Sequence, residues 1–164
     1  MKIINALVYT EEGFFVQKDI TVEGDYITDA AQSDAPDTQT IDAEGLYLIP
    51  GLTDLHFHGC VGYDFCDGTE EAVRAIAEYQ AKNGITTIAP ATMTLGDEEL
   101  IRIFQNASTY PSESGAFLVG IKMEGPYLSF AKKGAQNPAY LRSPSVEHFR
   151  KMQSLSGGLI KILA

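Results

Sequence analysis

The chain has 164 residues, 45% of them hydrophobic and 21% charged, with a formal net charge of -10. That length suggests one ordinary domain or part of a larger protein, and the composition supports a packed core and excludes disorder. The acidic balance argues against nucleic acid and anionic membranes as partners, because a phosphate backbone calls for a positive footprint, and no secretory signal or ~20-residue apolar span is visible.

Residues 1–49 read as a small antiparallel β domain. Lys2–Tyr9 is a β-type run, followed by Phe14–Val16, Ile20–Val22 and Tyr26–Thr28, with Glu12-Gly13 and Gly24-Asp25 as turns. Ala30 to Thr38 is polar, carries Pro36 and reads as a loop. Thr40–Ala43 and Leu46–Ile49 are further short strands. Short strands joined by glycine turns suggest a small sheet or half-sandwich, and no catalytic cluster stands out in it.

From Pro50 the rhythm changes. Ile49–Gly59 reads as an apolar strand ending in His56 and His58. Side chains alternate along a strand, so these imidazoles share a face and suit one divalent cation at about 2.0–2.1 Å. Asp54 falls on the same face. A single histidine there would be read as packing; His-x-His at the C-terminal end of an apolar run points to metal.

Cys60 and Cys66 read as free thiols in a reducing cytosol, Cys60 being a buried structural thiol more readily than a third ligand. Tyr63, Asp64 and Phe65 are candidates for a pocket wall.

Parallel βα units follow. Thr69 or Asp67 caps a helix running to about Asn83, with Val73, Ile76, Ala77 and Gln80 or Ala81 on its apolar face and Gly84 ending it. Ile85–Pro90 is a buried strand. Asp97 caps a helix over 98–108, Gly115–Met123 is a third strand, and Ser143-Pro144 opens a third helix with Pro at its first position. Gly157-Gly158 stops that helix, and Leu159–Leu163 begins a fourth strand.

Strands alternating with helices give an α/β class, here the first half of a (β/α)8 TIM-type barrel over residues 50–164. An open doubly wound sheet would usually carry a glycine phosphate loop after its first strand; this first strand ends in histidines.

The third strand delivers Glu124 to the barrel mouth, where a carboxylate facing two imidazoles completes a standard divalent-metal set. A lone glutamate would be a solvated strand end; its placement beside the histidines makes it a ligand. Thr92 could also face the mouth. The segment 128–138 is long for a βα loop. Its Lys132 and Lys133 suit an anionic substrate, although two loop lysines are as readily merely solvated. Gln136 and Asn137 are placed to hydrogen-bond a polar ligand such as a sugar hydroxyl. His148, inside the third helix, reads as a surface or packing residue.

Pro50-Gly51-Leu52-Thr53-Asp54-Leu55-His56-Phe57-His58-Gly59 resembles the signature of the amidohydrolase superfamily, metal-dependent hydrolases on a (β/α)8 barrel with a small β-sandwich built partly from N-terminal strands. His58–Phe65, Ala89–Thr92, Met123–Ser129 and Lys132–Pro138 narrow the resemblance to its amino-sugar-phosphate deacetylases, N-terminal portion only. The resemblance implies deacetylation of N-acetylglucosamine 6-phosphate to glucosamine 6-phosphate and acetate in the full-length enzyme. It also implies a divalent metal (Zn, Fe, Mn or Co; one or two ions), a homodimer when full length, and a cytoplasmic setting.

Glu124 then corresponds to the principal metal ligand, and His56 and His58 to a pair binding a second ion. The family usually has histidine where Gln136 stands, so one substrate contact is altered. The family's remaining ligands and its proton-handling aspartate fall beyond Ala164, so no catalytic base is expected here and the 164 residues alone should be inactive. Two other readings stand: an amidohydrolase acting on a cyclic amide, against which Glu124-Gly125-Pro126 argues, and a non-enzymatic metal-binding remnant.

Overall fold

A computed structural model describes residues 1–29 and 39–164. The loop expected over 30–38 lies outside the described residues. The chain divides into two compact units, Met1–Pro50 and Gly51–Ala164.

The first unit is one mixed sheet. β1 (Lys2–Tyr9) pairs antiparallel with β2 (Phe15–Glu23), which pairs antiparallel with β3 (Tyr26–Asp29). β4 (Thr40–Asp42) and β5 (Tyr47–Leu48) then lie end to end along the other side of β1, both parallel to it. The sheet is therefore not antiparallel throughout. Hairpins join β1 to β2 and β2 to β3, which makes those neighbours antiparallel, whereas β4 and β5 pair with a strand that they do not directly follow in the chain. Among the described residues this unit is a single layer, without the second sheet of a sandwich.

The β1–β2 register slips between Ile3 and Ala6. Asn5 sits there at φ +63°, its N–H donating to Asp19 Oδ1 (3.0 Å) and its amide to Asp42 Oδ1 (2.9 Å). Asparagine tolerates that left-handed conformation, and such a bulge bends the strand.

The second unit repeats strand and helix. β6 (Leu52–Asp54) opens it, followed by a small hairpin of β7 (Gly59–Cys60) and β8 (Tyr63–Asp64). Then come α1 (Glu70–Lys82), β9 (Ile85–Ile88) and α2 (Asp97–Thr109). The third strand is split in two, β10 (Phe117–Leu118) and β11 (Ile121–Met123), and α3 (Val146–Leu155) and β12 (Ile160–Leu163) complete the unit.

β6, β9 and β10 pair in parallel, as do β11 and β12, and a parallel bridge from Ala91 to Lys122 links the two sets. Gly115–Met123 is not one strand because its halves bond different neighbours: Phe117 and Leu118 reach β9, while Ile121 to Met123 reach β12. This is a mixed α/β unit whose strands follow chain order.

The helices form where capping and period agree. The Thr69 hydroxyl accepts the Ala72 N–H (3.2 Å), Glu70 and Glu71 occupy the first turn, and Val73, Ile76, Ala77 and Gln80 are buried on one face. α2 starts one residue earlier than the sequence suggests: Gly96 is the cap, and its N–H is taken by Glu99 Oε2 (3.2 Å). α3 starts later. The Ser145 hydroxyl accepts the His148 N–H (3.2 Å), which leaves Pro144 outside the helix instead of at its first position.

One core joins Phe65, Val73, Leu100, Ile103, Phe104, Ile121, Met123, Met152 and Ile160, and a smaller one joins Ile76, Ala77, Ile88 and Ala116. No helix among the described residues is long and apolar enough to cross a membrane.

Candidate metal centre

β6 ends at Asp54, two residues before the first histidine, so strand alternation does not set the His56–His58 pair. Tethers on the irregular segment do. Asp54 Oδ1 accepts the His56 N–H (3.0 Å), the Phe57 carbonyl accepts the Ala91 N–H (2.7 Å), and the His58 carbonyl accepts the Phe65 N–H (2.7 Å). Phe57 packs against the smaller core. The two rings stand edge to face, their centroids 5.4 Å apart.

Glu124 follows β11 directly, and every polar part of it except one carboxylate oxygen is held. Its N–H donates to Thr92 Oγ1 (3.3 Å), its carbonyl accepts from Thr94 Oγ1 (3.2 Å), and Oε1 accepts from Gln136 Nε2 (2.8 Å). Gly125 takes φ +77°, and a Cβ there would lie 2.0 Å from Thr94 Oγ1, so the turn beneath the carboxylate admits only glycine. The carbonyl of Ala164, beside the end of β12, accepts the Gly125 N–H (3.2 Å).

One ligand-capable atom each of His56, His58 and Glu124 all lie within 4.8 Å of one another. Glu124 Oε2 is 3.3 Å from His58 Nε2. The contact lacks hydrogen-bond geometry, and both Oε2 and His58 Nδ1 are buried without a partner. A buried carboxylate oxygen with no donor is costly unless a positive group meets it. Two donors each about 2.0–2.1 Å from one ion in near-tetrahedral geometry stand roughly 3.3 Å apart. The donor chemistry, the spacing and the orphaned oxygen all fit a divalent cation.

The remaining expected site residues fare differently. Gln136 is not free to meet a ligand: it is 4% exposed, and both ends of its amide are committed, Oε1 accepting the Thr94 N–H at 2.7 Å. Asn137 is exposed and spends its Oδ1 on the Ala139 N–H (3.0 Å) as the cap of a short 3-10 turn. Lys132 is exposed on the same loop, and Lys133 donates to its neighbour's carbonyl at Gly134 (3.1 Å). Thr92 is fully buried and holds the Glu124 backbone.

Cys60 is half-buried and falls outside the three-residue group. The thiol of Cys66 accepts the Met93 N–H (3.2 Å), and burial pushes it up to about 12. The three residues expected to wall a pocket have other tasks. Tyr63 donates to Glu71 Oε1 (2.6 Å), and that bond to a carboxylate raises its pKa; Asp64 caps a 3-10 turn, and Phe65 is core.

Sequence reading missed a polar chain. His148 is packed, its side chain 9% exposed, with Nδ1 2.6 Å from the Tyr127 hydroxyl and Nε2 3.2 Å from Asp97 Oδ1, which also accepts from Arg142 (2.8 Å). Burial raises the Tyr127 pKa, so this phenol stays a proton donor. Asp97 and His148 both belong to first turns of helices that follow parallel strands. That shared end of the βα units was the signal available.

No protein-family model matches the chain. An N-acetylglucosamine-6-phosphate deacetylase of Lysinibacillus sphaericus is 30% identical over 162 residues, covering 97% of this chain and 42% of that protein. The resemblance is to N-acetylglucosamine-6-phosphate deacetylases. The crystal structure of the Pasteurella multocida deacetylase superposes with a TM-score of 0.83 at 29% identity, over 99% of this chain and 43% of that one. A mutant Mycobacterium smegmatis deacetylase in complex with N-acetyl-D-glucosamine-6-phosphate shares the fold (TM-score 0.80, 21% identity, 99% and 42% covered). The chain thus spans about two fifths of the length of the deacetylases it matches.

Proposed function

We propose that this chain supplies part of the active site of a divalent-metal-dependent deacetylase acting on N-acetylglucosamine 6-phosphate, giving glucosamine 6-phosphate and acetate. The observation that carries the reading is the convergence of His56, His58 and Glu124, from two separate strand ends, within 4.8 Å. The similarity to deacetylases over nearly the whole chain supports the substrate class.

His56, His58 and Glu124 would hold the ion, Zn, Fe, Mn or Co. What such an ion supplies is a bound water with its pKa lowered toward ~7 and a polarised amide carbonyl. This chain's own residues do the holding. Thr92, Thr94 and Gln136 fix the glutamate, and Asp54 and the tethers at Ala91 and Phe65 fix the histidine segment. Lys132 is exposed, four residues before Gln136 in the chain, and its positive charge suits a phosphorylated sugar.

The test is acetate release from N-acetylglucosamine 6-phosphate by this chain and by a deacetylase of full family length bearing it, with and without added metal. Metal-dependent release by the longer protein, lost on Glu124→Ala, is the expected result. Release unaffected by chelation or by that substitution would refute the metal-hydrolase reading. The 164-residue chain alone is expected to release little, since removal of a general base by itself commonly costs about 10²–10⁴-fold.

A further inference from the structure

The amide of Gln136 can be oriented without ambiguity. A backbone N–H can only donate, and the Thr94 N–H points at one end of this side chain from 2.7 Å, so that end is the oxygen. The other end is then the NH₂ group, and it lies 2.8 Å from Glu124 Oε1. The residue is 4% exposed, so water does not compete for either bond. The chain's two carboxylate oxygens at Glu124 are thereby made unequal. Oε1 is occupied by a donor, whereas Oε2 is buried, lacks a donor and faces His58 Nε2 at 3.3 Å.

We infer that Gln136 is a positioning residue for the metal centre: by occupying Oε1 it holds Glu124 as a single-oxygen ligand presenting Oε2 toward the histidines. The inference rests on the metal reading above and deepens it. Thr94 links the two sides of the clamp. Its N–H fixes the Gln136 amide and its hydroxyl fixes the Glu124 carbonyl, so this single threonine sets both the ligand's backbone and the orientation of its carboxylate. A carboxylate free of this clamp could rotate and offer both oxygens to one ion, or turn from it. Partners of this kind tune metal sites strongly; their removal typically costs about 10–100-fold in affinity.

The test is optical titration of this chain with Co²⁺, with X-ray absorption at the cobalt edge, for the unsubstituted chain, Gln136→Met and Gln136→Glu. Methionine keeps the length and removes both hydrogen bonds. Glutamate keeps an acceptor for the Thr94 N–H and replaces the donor to Glu124 by a second carboxyl, so when ionised it removes that bond and adds repulsion against Oε1. Far-UV circular dichroism and a urea midpoint report whether each variant folds.

The expected result is cobalt binding weakened about 10–100-fold in Gln136→Met, with the absorption band and the oxygen shell altered in both variants even where the fold is unchanged. A variant that folds and binds cobalt with the same affinity and the same spectrum as the unsubstituted chain overturns this inference alone. An unsubstituted chain that binds no cobalt overturns both it and the metal reading. If Gln136→Met does not fold, Gln136→Glu decides.

Discussion

Glu124 shows how much a single side chain depends on its surroundings. Three bonds hold it and one oxygen is left over; the bonds from Thr92 and Thr94 are to its backbone and survive truncation, so Glu124→Ala removes the carboxylate and frees only the Gln136 amide. Glu124→Ala is expected to weaken divalent-metal binding by at least ~100-fold, beyond the loss of a mere orienting partner. Equilibrium dialysis checks this.

Cys66 allows a second prediction at the same scale. Its thiol is raised to about 12 by burial, so between about 9, the ordinary value, and about 12 the folded state keeps a proton that the unfolded state gives up. Stability from this group is full below about 9 and is lost as pH rises through that window. Urea midpoints measured across it should fall, and Cys66→Ala should flatten the slope. At pH 8 this thiol should also react with a disulfide reagent far more slowly than an ordinary cysteine.

The three converging side chains were singled out in the sequence, because His-x-His and a glutamate before Gly-Pro are local patterns. Gln136 was singled out for a ligand, but its buried bond to Glu124 was not legible. Its partners lie 12 and 42 residues away, and nothing in its neighbours says that it faces inward.

At the scale of elements, α1 was readable to within about two residues: of the two caps the sequence offered, Thr69 is used and Asp67 is not, charges suit its dipole and apolar positions repeat at helical spacing. Strand ends were not readable. β6 stops at Asp54 although the apolar pattern runs on, and the third strand breaks because its halves pair with different neighbours. Hydrophobic runs report burial, and pairing partners decide where a ladder starts and stops.

Two substitutions probe the joints. Gly115 takes φ +79° and a Cβ would lie 2.5 Å from the Ala77 backbone, while the Ala116 N–H donates to the Ala77 carbonyl (2.9 Å). Gly115→Ala is expected to cost more than about 1 kcal/mol, because strain and backbone overlap add. Thr69→Ala should cost about 1 kcal/mol through the lost cap. Chemical denaturation reads both.

At the scale of the whole molecule, the two units differ in kind. The first unit leaves Tyr26, Ile27 and Tyr47 largely exposed and contributes none of the three side chains that converge at the candidate metal centre. The second carries them all, on the irregular segment after β6 and directly after β11. The parallel α/β arrangement was legible from its alternating rhythm. The parallel pairing of β4 and β5 with β1 was not, since short strands carry no mark of direction.

The central claim is that three side chains from two strand ends share one cation. X-ray absorption on the zinc-loaded chain tests it most directly. The account predicts a shell containing two imidazole nitrogens and a carboxylate oxygen at about 2.0–2.1 Å, lost on Glu124→Ala. A sulfur shell at about 2.3 Å, or a zinc site unchanged by that substitution, would contradict it.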